Sequence, residues 1–133
     1  MKRYSLNLSP YIASTTKISV YELCKNGQSL FESFVEEIEK NGNLFDKLAG
    51  AIRIIEETSN LKRFPRSKFR EIKGHSLGCK VYEVKSNIIR VYLFHEEKTG
   101  RVIITGGLKS NQLKDIKSIL KIIKEYHDEK YGW

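Results

Sequence analysis

The chain is short of the residues that build the commonest chemical sites. It has two cysteines, Cys24 and Cys79, and three histidines, His75, His95 and His127. Neither cysteine belongs to a C-x-x-C pair, and no histidine has ligand spacing from another histidine or a cysteine, so no metal site is expected. Two lone cysteines also exclude the disulfide framework of a small secreted domain, which points to a reduced, cytoplasmic setting with each thiol acting as a small buried hydrophobe. No apolar run approaches the roughly 20 residues of a membrane span. Met1 to Thr16 is polar and unlike a signal peptide, so the expectation is a soluble, non-exported protein with no membrane partner. Gly106-Gly107 follows a strand-like stretch but lacks a GK[ST] or GxxG continuation, and no nucleotide or other cofactor is expected. There is no internal repeat and no low-complexity segment.

What the chain does have is positive charge in one half. Residues 1 to 60 hold seven Lys or Arg against eight Asp or Glu, whereas residues 61 to 133 hold seventeen against eight, so the whole excess of the +8 net charge lies in the second half. A concentrated cationic surface draws nucleic acid or an acidic protein by long-range attraction that weakens with salt. Its plainer role is to keep the protein soluble. A length of 133 residues suits one domain spanning the chain, with residues 1–16 as a polar N-terminal extension.

Lys17 to Leu23 is β-branched and aromatic and runs into Cys24-Lys25-Asn26-Gly27, a strand followed by a turn. Ser29 and Glu32 have capping-box spacing at the start of a helix that places Leu30, Phe31, Phe34, Val35 and Ile38 on one stripe. Asn41-Gly42-Asn43 breaks it. Asn43 is expected to cap a second helix with Leu44, Leu48, Ala51, Ile52 and Ile55 on one face and Gly50 marking a close approach. The two helices should form an antiparallel hairpin across one face of a sheet. Four strands follow, at 68–73, 80–85, 88–95 and 101–105, and a last helix at 111–126 carries Leu113, Ile116, Leu120 and Ile123 along its stripe, with Ile119, Ile122 and Tyr126 widening it. The fold class is therefore α+β, a small antiparallel β-sheet with an N-terminal helix hairpin on one face and a C-terminal helix.

With Ser86-Asn87 as a two-residue turn, Lys85 faces Ile88, Glu83 faces Arg90 and Val81 faces Tyr92. Tyr82, Val84, Ile89, Val91 and Leu93 then line the opposite, apolar face beneath the helix hairpin. On this register Glu83, Lys85, Arg90 and Tyr92 point toward a free surface.

The blocks Lys68 to Gly74, Cys79 to Lys85, Ile89 to His95 and Gly106 to Gln112 resemble the sheet and the last-helix entry of the RelE/ParE superfamily of toxin–antitoxin toxins. The order of elements over roughly residues 17 to 126 is similar to that of its HigB-like, phage-associated branch. The resemblance implies a RelE-like fold and a toxin that cleaves messenger RNA, usually on the translating ribosome, and is silenced by a cognate antitoxin. Relatives of the ParE type poison DNA gyrase with the same fold. It also implies that Arg90 contacts the scissile phosphate, that Lys85 is the basic residue ending its strand, and that Lys109 and Gln112 form the basic segment entering the last helix. Val81 and Glu83 stand where RelE-type enzymes have two lysines, and Ser110 stands where the HigB-like pattern has a second Lys.

Cleaving RNA through its own 2′-OH needs a base, cations to stabilise the pentacoordinate phosphorus, and a proton for the leaving oxygen. Arg90 and Lys109 suit the phosphate, and Glu83 or His95 suits the base. Glu83 is equally explained by a cross-strand ion pair with Arg90, and His95 by a place at a strand end. Tyr92 could stack a base or pack. Lys80, Lys85, Arg70, Lys73 and Gln112 complete the candidate RNA contacts, while Lys98 and Arg101 read as solvated hairpin charges. Lys114, Lys117, Lys121 and Lys124 could meet RNA or an acidic antitoxin, or form a solvated face. The expected partners are thus messenger RNA, the ribosome and the antitoxin, with a homodimer open. A non-catalytic binding module of the same fold, holding gyrase or another protein, is the alternative that Val81 and Glu83 favour.

Overall fold

Alternation of polar and apolar side chains forms the first strand, β1 (Tyr4–Leu8), which pairs antiparallel with β2 (Val20–Lys25), Tyr4 opposite Lys25. The computed structural model describes residues 2–132, so Met1 and Trp133 lie outside the described residues. The segment expected as a polar extension therefore contributes an edge strand, and it buries Tyr4, Ser9 and Ile12. Asn26 and Gly27 turn the chain with φ of 53° and 83°, a left-handed conformation that Asn and Gly tolerate best. Cys24 and Lys25 belong to β2 and not to the turn, because β3 (Gln28–Ser29) pairs back onto them.

Ser29 Oγ accepts the Glu32 N–H at 3.0 Å and caps α1 (Leu30–Glu39), whose Phe31, Phe34, Val35 and Ile38 are buried. The Glu32 carboxylate accepts the Tyr11 hydroxyl. Asn43 does not cap the next helix. It lies within a one-turn 3-10 helix, Gly42–Leu44, that leads directly into α2 (Phe45–Ser59) with no side-chain cap. Gly50 does mark a close approach, since a Cβ there would sit 2.8 Å from Ser86 Oγ.

The remaining elements are β4 (Phe69–Ile72), β5 (Val81–Ser86), β6 (Ile89–Glu96), β7 (Gly100–Leu108), a 3-10 turn at Lys109–Asn111 and α3 (Gln112–Tyr131). Strand order is β1-β2-β7-β6-β5-β4, with β3 added to β2. The sheet is mixed where an antiparallel one was expected, because β2 runs parallel to β7 with Val20 opposite Arg101. A long connection through helices permits that parallel pairing, which no tight hairpin could make. Helices α1 and α2 cover one face over Val84, Ile89, Val91, Leu93 and Ile103. Helix α3 covers the other, packing Ile119, Ile123 and Tyr126 on Val81, Tyr92, Phe94, Val102 and Ile104. Among the described residues, no helix is long and apolar enough to cross a membrane.

Two expectations about the β5–β6 hairpin change. Asn87 takes φ 55° and the turn falls on Asn87-Ile88, so Ser86 joins the ladder opposite Ile89. Lys85 therefore faces Arg90, Glu83 faces Tyr92, and Val81 faces Phe94. The shift moves pairing by two positions, so every side chain keeps its expected face. That face is not free, however. Both sides of the sheet are apolar, and α3 lies over the side that carries Glu83 and Tyr92. Of the apolar face expected on α3, Ile119, Ile123 and Tyr126 are buried, whereas Leu113 is 82% exposed.

Candidate functional site

Antiparallel pairing brings several nominated residues to the hairpin end of the sheet. Lys85 is opposite Arg90 and Arg90 is opposite Gly107. The Lys109 N–H donates to the Ile88 carbonyl at 2.7 Å, fixing the start of the 3-10 turn against the same hairpin. Lys85 is half-buried and Lys109 is exposed. Arg90 is 6% exposed, and its Nη1 donates to the carbonyls of Asn87 at 2.7 Å and Ile89 at 3.0 Å. Its Nε is buried with no hydrogen-bond partner among the described residues. A guanidinium that spends one nitrogen on its own turn and leaves another unpaired is a donor held in place without being saturated.

Behind this corner lies a buried polar cluster. Glu83 is fully buried, accepting Arg70 Nε at Oε1 and Gln112 Nε2 at Oε2, each at 2.7 Å. The ion pair foreseen with Arg90 is made with Arg70 instead, because Arg70 is the residue opposite Glu83 on β4. Arg70 and Gln112, nominated as RNA contacts, thus have their side chains turned to this carboxylate. Tyr92 is fully buried, which removes it as a platform for a base, and among the described residues its hydroxyl has no hydrogen-bond partner. Burial, then the charges of Glu83 and Asp115, push its phenol well above the ordinary value.

His95 is elsewhere. It lies five residues along β6 from Arg90, roughly 16 Å at the strand rise. There its N–H donates to the Lys80 carbonyl at 2.9 Å. With Cys79, Lys80, Glu96, His127 and Tyr131 it lines a cavity of about 810 Å³. Lys73 and Lys80 are exposed near this far end, beyond the Ile72–Val81 pair. Burial pushes the Cys79 thiol up to about 11, with Glu96 adding to it, and lowers His127. Neither Cys79 nor Cys24, also raised chiefly by burial, has the environment of a reactive thiolate. Arg101, expected as a solvated hairpin charge, is buried under α2. Its Nη1 donates to Thr58 Oγ1 at 2.8 Å and Ser59 Oγ at 3.1 Å, and its guanidinium lies over the Phe69 and Tyr82 rings.

The corner therefore carries three cations, a half-buried Lys85 and an exposed Lys109 beside a largely buried Arg90, and it holds none of the acid–base groups nominated from the sequence. One residue it does hold escaped notice. Asp115, in the first turn of α3, places its carboxylate where a Cβ on Gly107 would be. The signal lay in Gly107 and in the three-residue step from Gln112 to Asp115. Comparison with protein-family models, with curated proteins and with solved structures finds no match to this chain.

Proposed function

We propose that the chain is a RelE/HigB-like toxin that cleaves messenger RNA at the hairpin corner and is restrained in the cytoplasm by a cognate antitoxin covering that corner. One observation carries this reading: Lys85, Arg90 and Lys109 converge on one sheet end through cross-strand pairing and the Lys109–Ile88 hydrogen bond. Three cations at one corner suit a phosphate whose negative charge grows as the 2′-oxygen attacks. Arg90, 6% exposed, keeps its Nε without a hydrogen-bond partner among the described residues. Lys80 and Lys73, at the far end of the sheet, would touch RNA only well away from the scissile phosphate.

The experiment is induction in cells followed by mapping of messenger RNA 5′-ends, repeated with Arg90→Ala and Lys109→Ala. New ends in the wild type that fall at least ~100-fold in each variant support the reading. No new ends, or ends unaffected by both substitutions, refute it. A second reading, a non-catalytic module that binds gyrase or another protein, is favoured by one feature: Glu83 and Tyr92 are both fully buried. It requires toxicity without new 5′-ends.

A further inference from the structure

The cleavage reading lacks a proton acceptor, since Glu83 is locked between Arg70 and Gln112 and His95 is at the other end of β6. We propose that Asp115 is that acceptor, its carboxylate seated on Gly107 beside Arg90 and open to an RNA 2′-hydroxyl. The inference rests on the RNA-cleavage reading above and adds to it the group that performs the first proton transfer.

Several features of the site support it. Gly107 is the cross-strand partner of Arg90, so the open side of Gly107 and the Arg90 side chain share one face of the sheet. The Asp115 carboxylate fills that open side, in a space only glycine leaves. Among the described residues Asp115 makes neither a hydrogen bond nor an ion pair, unlike Glu83, so both oxygens keep free acceptor capacity. It is half-buried rather than sealed, in contact with both the cluster and solvent. Burial raises its carboxyl above the usual range against the opposing pull of Lys114, the direction that makes a carboxylate a better base near neutral pH. The charged and titratable groups that act on it are Lys114 on its own helix and Tyr92 from β6, whose phenol its charge helps to raise, while Arg90 is the cross-strand neighbour of the Gly107 on which it sits. Leu113, almost fully exposed two residues earlier, leaves this rim open.

The step balances without a cofactor. Asp115 takes the proton of the 2′-hydroxyl, the 2′-oxygen bonds to phosphorus, and the P–O5′ bond breaks. The products are a 2′,3′-cyclic phosphate and a 5′-oxygen that takes a proton from solvent. Asp115 returns its own proton to solvent, so none is gained or lost overall. Arg90 and Lys109 hold the phosphoryl oxygens throughout.

The test uses the full chain, purified translating ribosomes carrying a defined message, and single-turnover cleavage between pH 6 and 8. Asp115→Asn keeps the shape and removes the base, and the expected result is a rate at least ~100-fold lower with ribosome and RNA retention unchanged. Where the wild-type rate falls on the acid side, that fall should be absent from the variant. Gly107→Ala, which displaces the carboxylate while leaving Asp115 in the sequence, should lower the rate in parallel and guards against a folding defect in the first variant. Wild-type cleavage with both variants within about threefold of it would overturn the Asp115 assignment and leave the RNA-cleavage reading standing. Absence of wild-type cleavage overturns both.

Discussion

Removing Arg70 should damage the protein more than removing a typical surface arginine, and the reason lies in Glu83. Arg70→Ala leaves a fully buried carboxylate whose remaining donor among the described residues is Gln112 Nε2 at 2.7 Å. Breaking a buried pair from one side costs about 3–5 kcal/mol because the surviving charge is uncompensated. Arg70 is itself 26% exposed, so water can partly replace it, which places the expected loss at the lower end, about 3 kcal/mol. For a domain of this size that is roughly a 10 °C fall in Tm. Glu83→Gln in the same background removes the stranded charge and should recover a large part of the loss. Urea unfolding of the wild type, the single variant and the double variant at pH 7 measures all three. A loss under about 1 kcal/mol for Arg70→Ala, or no recovery in the double variant, would show that Glu83 is not held as described. Glu83→Gln alone should also retain most of any RNA cleavage, because its role is to anchor Gln112 and Arg70.

Other consequences follow from burial. Gly106→Ala would press a Cβ into the Phe34 ring and to 2.9 Å from the Arg90 carbonyl, with an expected cost of about 1–3 kcal/mol in chemical denaturation. Tyr4→Ala empties a buried site on the α3 side and breaks the Tyr4 Oη to Glu125 bond of 2.7 Å, so it should cost about 3–4 kcal/mol although it lies in an edge strand. The Cys79 thiol, raised to about 11 from 9, contributes stability that is present below pH 9 and lost as pH rises from 9 to 11. Its alkylation at pH 8.5 should be at least about tenfold slower than in the urea-unfolded chain.

Local patterns were legible where the sequence alone determines them. The Ser29 cap and the alternation through β5 and β6 depend on neighbours in the chain, and the hairpin survived a turn shift because moving the pairing by two keeps parity. What could not be read depends on distant partners. β1 has a weak pattern, and its anchor Tyr4 packs on Tyr126 and bonds Glu125 at the other end of the chain. The coverage of Glu83 and Tyr92 by α3 was hidden for the same reason, since an apolar stripe on a helix does not say which face of a two-sided apolar sheet it will take. Arg101 was misjudged because a cation beside a hairpin loop usually meets water, whereas Thr58, Ser59 and two aromatic rings enclose this one.

Two arginines are now buried in one small sheet, and their surroundings separate structure from function. Arg101 directs Nη1 to two hydroxyls and rests on Phe69 and Tyr82, so its environment accounts for it. Arg90 secures two carbonyls at the hairpin end yet keeps Nε buried and unpaired, a cost of about 1–3 kcal/mol with no structural return. Replacement by methionine should therefore cost the two sites differently. Arg101→Met loses hydrogen bonds from a charged donor and strands Thr58 and Ser59, with an expected loss of about 3 kcal/mol. Arg90→Met relieves the unpaired Nε but removes the donor of the solvent-side Asn87 carbonyl and of the buried Ile89 carbonyl, so its loss should be the smaller, about 1.5 kcal/mol, and any phosphate binding at the corner should disappear. Equal destabilisation by both, with RNA binding intact in Arg90→Met, would make Arg90 a structural residue and remove the corner's central cation from the mechanism.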